Sequence, residues 1–391
     1  MTDRIEEFIR DSQAYIGKEA EDVPPGAELA DWLTIRRFCA ALGDQNPLYK
    51  DPAHGVGSKY HAMIAPQTFV AAIRTPTAGA AYVHKDYGVA TFLTSASMEL
   101  VDVVRSGDRF NSSLKVTGVK DGPGWKDRGT AQVRSSAEYR NSYGGLIGTS
   151  TGTVDVIPFE RGREFFDERD IYSYSDDEIK AIKKGIESEP PPRGRHVRYW
   201  NDVKVGERLP VLVKGPMSLQ DMMAWSVAEQ KVLALGTPIY QALKKMPGRV
   251  RVNPTTNWPY WDADQEFEDI LSCQDLGFKA PAGRGMQRVC LAGHLATQWM
   301  GDDGFLRSLE AEMPRHWLYG DTMWLTGDII DKYKEKVGKE LYHAAVVRVT
   351  GHNQLKETIL RGRAVVYLPN PGYPVELPIP HEDWAPYYEG R

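Results

Sequence analysis

The chain is built from one pattern used twice. In its first half, Ser106-Gly107-Asp108 precedes a strand-like stretch from Phe110 to Val119, a second from Thr130 to Tyr139, a turn over Asn141–Gly145, and a last strand ending at Ile157-Pro158. In its second half, Tyr319-Gly320-Asp321 precedes Met323 to Ile330, then Tyr342 to Thr350, a turn over Gly351–Gln354, and a last strand ending at Leu368-Pro369. Gly107 to Pro158 is 51 residues and Gly320 to Pro369 is 49. Upstream, Asn46-Pro-Leu-Tyr49-Lys-Asp51 is echoed by Asn257-Trp-Pro-Tyr260-Trp-Asp262, with 58 and 60 residues to the respective glycine. Three matched segments at one offset predict two copies of one domain.

Each copy opens on a short helix. From Thr34, Ile35, Phe38, Cys39 and Leu42 share one helical face. Ser218 opens its counterpart, running to Gln230, with Asp221 completing a capping box. From there to the repeated Tyr is 15 residues in the first copy and 42 in the second, so the second carries an insertion at 231–257. An insertion of that length suggests a functional lid or contact loop. A longer helix is expected over Pro66 to Ala81 and over Arg284 to Met300, followed by three or four strands. This order predicts an α+β fold. The expected organisation is an N-terminal domain at 1–159, a linker at 160–200 and a C-terminal domain at 201–391. The linker should hold a short helix capped at Ser175 and broken by Pro190-Pro191-Pro192.

Composition excludes several classes. Lys plus Arg is 48 against 53 Asp plus Glu, a net charge of −5, which gives no footprint for non-specific nucleic-acid binding. Cys39, Cys273 and Cys290 lack metal-ligand spacing, and an odd count does not suggest a secreted disulfide framework. Met1–Gly17 is charged and does not read as a signal peptide, and no stretch has the length of a spanning helix. The expectation is a soluble cytoplasmic protein. No His-Glu-x-x-His, Gly-x-Ser-x-Gly or phosphate-cradling glycine loop is present, so no metal or other cofactor is expected.

The stretch Phe38-Cys-Ala-Ala-Leu-Gly43-Asp44-Gln45-Asn46-Pro47-Leu48-Tyr49-Lys50-Asp51, the later Ile64-Ala65-Pro66-Gln67-Thr68-Phe69 and the paired Gly-Asp turns resemble the MaoC-like (R)-specific enoyl-CoA hydratases and acyl dehydratases. The resemblance implies a double hot-dog fold: two antiparallel sheets, each wrapped around a central helix, pairing into one extended sheet. It implies reversible addition or removal of water on acyl thioesters of coenzyme A or a carrier protein. It also implies a catalytic Asp and His five residues apart, with a backbone N–H at the start of the central helix stabilising the thioester oxygen.

The chain departs from that pattern. Asp44 stands at the family's Asp position, but Tyr49 stands at its His; in the second copy the same counting reaches Thr255 and Tyr260. A phenol near pKa 10 is a poor base where an imidazole near 6.5 is a good one. Two readings of the first loop stay open. Asp44 assists the reaction with Tyr49 orienting water or a substrate oxygen, or Asp44 caps backbone N–H groups and Tyr49 fills the pocket. His294, on the second long helix, is either a satisfied core histidine or the base that replaces the missing one. The remaining substrate-binding candidates are Asn46, Gln67, Trp258, Trp261 and Gly285, with Gln67 and Gly285 at the helix starts where the family places its backbone donor. His61 is a candidate for the pocket mouth. Asp302 and Asp303 read as a turn, Asp51 and Asp262 as loop residues, and Arg193, Arg195 and Arg198 as a solvated linker rather than a phosphate site.

These residues point first to a hydro-lyase acting on an acyl or aryl thioester. The alternatives are a catalytically silent thioester-binding or partner subunit, and a different lyase or isomerase reaction on the same fold. The expected partner is the thioester, with further homodimer or hetero-oligomer formation open.

Overall fold

The computed structural model describes residues 2–20, 26–124, 128–158, 169–229, 250–252, 256–261 and 278–381, with Lys244 and Cys273 as isolated positions. The chain opens on α1 (Thr2–Ser12) and α2 (Trp32–Leu42). α2 starts two residues before Thr34, because Asp31 is the cap: its carboxylate accepts the Thr34 N–H at 2.9 Å and the Thr34 hydroxyl at 2.7 Å. Ile35, Phe38, Cys39 and Leu42 form its buried face. Gly43, at φ 71°, ends the helix in the left-handed conformation that glycine adopts without a Cβ clash, and the chain turns into the Asp44 loop.

Four long strands follow: β1 (Val89–Leu100), β2 (Phe110–Asp121), β3 (Ala131–Asn141) and β4 (Leu146–Pro158). After them comes α3 (Asp176–Glu187), opened by the Ser175–Glu178 capping box. The C-terminal half adds β5 (Leu212–Lys214), α4 (Leu219–Ala228), β6 (Val250–Val252), β7 (Pro259–Trp261) and α5 (Gly285–Met300). Its long strands are β8 (Phe305–Glu312), β9 (Met323–Val337), β10 (Glu340–His352) and β11 (Thr358–Tyr367). Most of the insertion at 231–257 lies outside the described residues, as do Thr255 and Asp262.

The strands of the two halves form one extended sheet. β1 pairs antiparallel with β8, Met98 opposite Leu309, and joins the halves into a nine-stranded sheet in the order β2-β3-β4-β1-β8-β11-β10-β9-β5. β6 and β7 form a separate two-stranded ribbon. The central helices are unequal. In the C-terminal half α5 runs 16 residues, almost all of them buried, and packs on β1 and on β8 to β11. In the N-terminal half the helix expected over Pro66–Ala81 is only a 3₁₀ turn at Gln67–Phe69 and a four-residue α-turn at Val70–Ile73. Arg74 is already extended, at φ −163° and ψ 124°. Two residues later comes Pro76, whose ring cannot continue a helix and whose predecessor is biased to extended backbone. Gly79 follows, and a separate 3₁₀ turn takes up Ala80–Val83.

β3 alternates buried and partly exposed residues as a one-sided strand should, but β10 is buried on both faces from Ala344 to Val347. Its outer face is covered by Trp200, which donates its indole N–H to the Ala344 carbonyl at 2.8 Å, and by the Tyr373 ring against His343.

The short N-terminal turn crosses the middle of α5. Gly293 makes the crossing close enough that a side chain there would collide with Thr68 Cγ2. On a free helix Gly→Ala gains about 1 kcal/mol. At Gly293 the same change must displace the buried Thr68 side chain and should instead cost roughly 1–3 kcal/mol, as overpacked cores do. Urea unfolding of Gly293→Ala measures the sign.

Candidate active site

The crossing places a residue of one half beside a residue of the other. Asp44 leaves α2 on the Gly43 turn and His294 sits one residue past Gly293, and Asp44 Oδ2 faces His294 Nδ1 at 3.1 Å. Both side chains are sealed, at 3% and 1% exposure. The other Asp44 oxygen accepts the Asn46 N–H at 2.9 Å, so the carboxylate caps the loop and meets the imidazole together. The remaining ring nitrogen, His294 Nε2, is buried and has no hydrogen-bond partner. Burial opposes ionisation of Asp44. The facing imidazole, its hydrogen bond, the Asn46 N–H and the Lys214 charge outweigh that and hold the carboxyl below its ordinary value.

Tyr49 is 1% exposed and part of the hydrophobic core. Burial, then the negative Asp44, push its phenol well above the ordinary range, so it keeps its proton at neutral pH. As a phenol it can donate a hydrogen bond but cannot serve as a base.

A second histidine–carboxylate pair braces the loop. Asn46 caps the short helix at Pro47–Lys50 by accepting the Leu48 N–H at 3.0 Å, and donates its amide to Asp302 Oδ1 at 3.2 Å. Asp302 Oδ2 lies 2.7 Å from His54 Nε2. The Asp302 backbone N–H is held by the Gly194 carbonyl, and its carbonyl accepts from the Tyr60 hydroxyl at 3.3 Å. A continuous polar chain therefore runs from His294 through Asp44, Asn46 and Asp302 to the partly exposed His54. Asp302, read from sequence as a simple turn residue, is a junction of it. His54 was not anticipated; its only sequence signal is its place three residues past the signature loop.

The other candidates fall elsewhere. Gln67 accepts the Leu306 N–H, tying the start of the N-terminal turn to β8. Gly285 packs against Leu93 of β1, and nine helical residues put it about 13 Å along α5 from His294. It therefore lies at the start of that helix, away from His294. Trp258 stands 68% exposed, and Tyr260 and Trp261 are described only as backbone in β7, where Tyr260 pairs with Arg251. His61 is exposed at φ 52°. Arg193 and Arg198 are engaged with the backbone of His196, Val197 and Trp299 and with Glu207. The exposed basic feature near the loop is different: a pocket of about 280 Å³ lined by Arg36, Arg37, Ala40, Gln45 and Lys50. Among the described residues no three His, Cys, Asp or Glu side chains converge to hold a metal, and no helix is long and apolar enough to cross a membrane.

Residues 30–149, which contain the Asp44 loop and the N-terminal sheet, match the family model of the FAS1-like dehydratase domain region. A UPF0336 protein of Streptomyces avermitilis is 30% identical over 114 residues, 28% of this chain and 73% of that protein. The chain belongs to the UPF0336 family. A second member, from Thermobifida fusca, is 40% identical over 67 residues, and the match spans only 43% of its length and 17% of this chain. Among solved structures, a MaoC-like dehydratase superimposes with a TM-score of 0.62 at 16% identity, covering 91% of this chain and 99% of that one. A Mycobacterium tuberculosis protein described as a double hot-dog fold superimposes at 0.51 and 10% identity, covering 90% and 98%. At these identities the likeness is one of fold. It is the MaoC-like fold that the Asp44 loop resembled in sequence.

A carboxyl held below its unfolded value of about 3.9 adds stability that is complete above that pH and is lost as pH falls through the lower folded value. Asp44→Asn should therefore be less stable than the parent by about 1.5–3 kcal/mol at neutral pH, the range for hydrogen bonds to charged groups. The gap should narrow only below about pH 4, as read by denaturant unfolding at a series of pH values.

Proposed function

We propose that the protein is a MaoC-type hydro-lyase acting on an acyl or aryl thioester, with His294 of the C-terminal half in place of the imidazole that Tyr49 displaces. The observation that carries this reading is the Asp44–His294 contact with Nε2 left unpartnered. With its Nδ1–H donated to Asp44, the ring has one tautomer, and Nε2 becomes the acceptor. In the hydration direction Nε2 takes a proton from water as the oxygen bonds to C3 of a 2-enoyl thioester. The same proton is then delivered to C2 of the resulting enolate. Asp44 fixes the ring and stabilises the imidazolium, the role a carboxylate plays behind a catalytic histidine. The backbone at Gln67–Thr68, packed beside Gly293, is the candidate donor to the thioester oxygen. Tyr49, held neutral, can steady a substrate oxygen.

Arg36, Arg37 and Lys50 line a pocket on the outside of the same loop, which suits the phosphates of coenzyme A. That supports a coenzyme A thioester and a cytoplasmic setting. A second reading has its own observation: the Asp44 and His294 side chains are sealed from solvent, and Tyr49 packs the hollow. A silent thioester-binding subunit, alone or beside a catalytic partner, would look the same without a reaction to open it.

Turnover separates the two. With a panel of 2-enoyl-CoA thioesters, loss of the conjugated absorbance should report hydration by the full-length protein. His294→Ala should lower kcat by about 10²- to 10⁴-fold, the usual loss on removing a general base. Tyr49→Phe should act far less, and Arg36→Glu with Arg37→Glu should raise KM with kcat kept. Binding of the thioesters without turnover would establish the silent reading instead.

A further inference from the structure

We propose that Arg288 anchors a binding site for a ligand carboxylate near the start of α5, about 9 Å along the helix from His294. Arg288 lies in the first turns of α5 and is 3% exposed. Its hydrogen bonds are both made by Nη1, to the backbone carbonyls of Arg315 at 2.5 Å and Ile359 at 2.9 Å. Both acceptors are neutral. Nε is buried without any partner. Among the described residues no Asp or Glu pairs with the guanidinium. Burial lowers its pKa only to about 9, so it is charged at neutral pH.

Among the described residues its surroundings supply no anion. His316 lies beside it and is pushed down to about 3, by burial first and by Arg288 second, so the imidazole is neutral. That ring sits between Phe92 and Phe278, with centroids 5.1 Å from each. Phe92 and Phe278 belong to a small apolar cluster with Ala90, Ile157, Leu318 and Ala282, separate from the main core. The N-terminal end of α5 adds further positive potential. A buried charge without a counter-ion is costly, and proteins keep such charges paired or put them to use.

The geometry also selects the ligand. Nη1 is committed to the two carbonyls, which leaves the Nε–Nη2 edge of the guanidinium. Two parallel N–H groups on that edge match the two oxygens of a planar carboxylate. The aromatic and apolar neighbours suit a carboxylate on a short hydrophobic or aromatic body. The site is independent of whether Asp44 and His294 are catalytic. Its carboxylate comes either from a free acid or from the far end of an acyl group.

Isothermal titration of the full-length protein tests this with benzoate, succinate and glutarate, with benzamide and succinamide as uncharged controls. The acids should bind saturably and the amides should not. Arg288→Lys keeps the charge and a donor for the two carbonyls but lacks the fork. It should remain folded by circular dichroism and bind the acids at least tenfold more weakly. A second arm compares glutaryl-CoA with pentanoyl-CoA. Tighter binding of glutaryl-CoA, lost in Arg288→Lys, assigns the carboxylate to the acyl group. Equal binding of the two thioesters, with the free acids still bound, assigns the site to a free acid. The proposal is overturned if no carboxylate binds at either arm, or if Arg288→Lys binds them as the parent does. Because each readout is binding, failure here is distinct from failure of hydration.

Discussion

The antiparallel pairing of β1 with β8 is the constraint on which the rest depends. It fuses a four-stranded and a five-stranded array into one sheet and sets α5 of the second half across the short turn of the first. Only in that arrangement does Gly293 lie against Thr68 and bring His294 to the Asp44 loop. The candidate site is thus a property of the interface between the halves. The loop supplies the carboxylate, and the other half's helix supplies the imidazole.

The inequality of the two central helices follows from the same arrangement. α5 is buried nearly all round, so it must satisfy its polar side chains inside the protein. His294 does so on one nitrogen through Asp44, and Arg288 does so on one nitrogen through two carbonyls. Each retains an unpartnered buried atom. A desolvated donor or acceptor costs free energy that ordinary packing does not return, so these positions, with Gln287 beside Arg288, are where α5 departs from a passive core. His294 and Arg288 lie six residues apart on α5, which gives a single buried helix two chemically different environments: the Asp44–His294 contact near its middle and, near its start, a cation with no carboxylate partner among the described residues.

Much of the frame was legible from sequence. The i, i+3, i+4, i+7 face from Ile35 to Leu42, the Ser175 and Ser218 capping boxes, the strands after each Gly-Asp turn and the helix ending at Met300 all follow from local rules that need no partner. The length of the first central helix was misjudged although its signals were present. Thr75-Pro76 and Gly79 stop it at Ile73, and apolar content over Pro66–Ala81 concealed them. The mixture of apolar and polar residues over Tyr342–Thr350 predicts a strand with one face more exposed than the other. β10 is instead buried on both faces from Ala344 to Val347, because Trp200, some 144 residues away in the chain, covers it.

The site was half legible. The loop motif singled out Asp44, and the departure at Tyr49 marked the missing imidazole. The sequence also named His294 as one possible replacement among bland alternatives. It carried no sign of the chain from Asn46 through Asp302 to His54, since those contacts join residues about 250 positions apart. What the sequence determined by itself is whatever rests on neighbours a few residues away: helix faces, caps and turns. Tertiary structure alone decided which imidazole meets which carboxylate, because that depends on the sheet edge chosen for pairing and on how closely two helices cross. Both are set by the packing of the whole chain and not by the spacing of any motif.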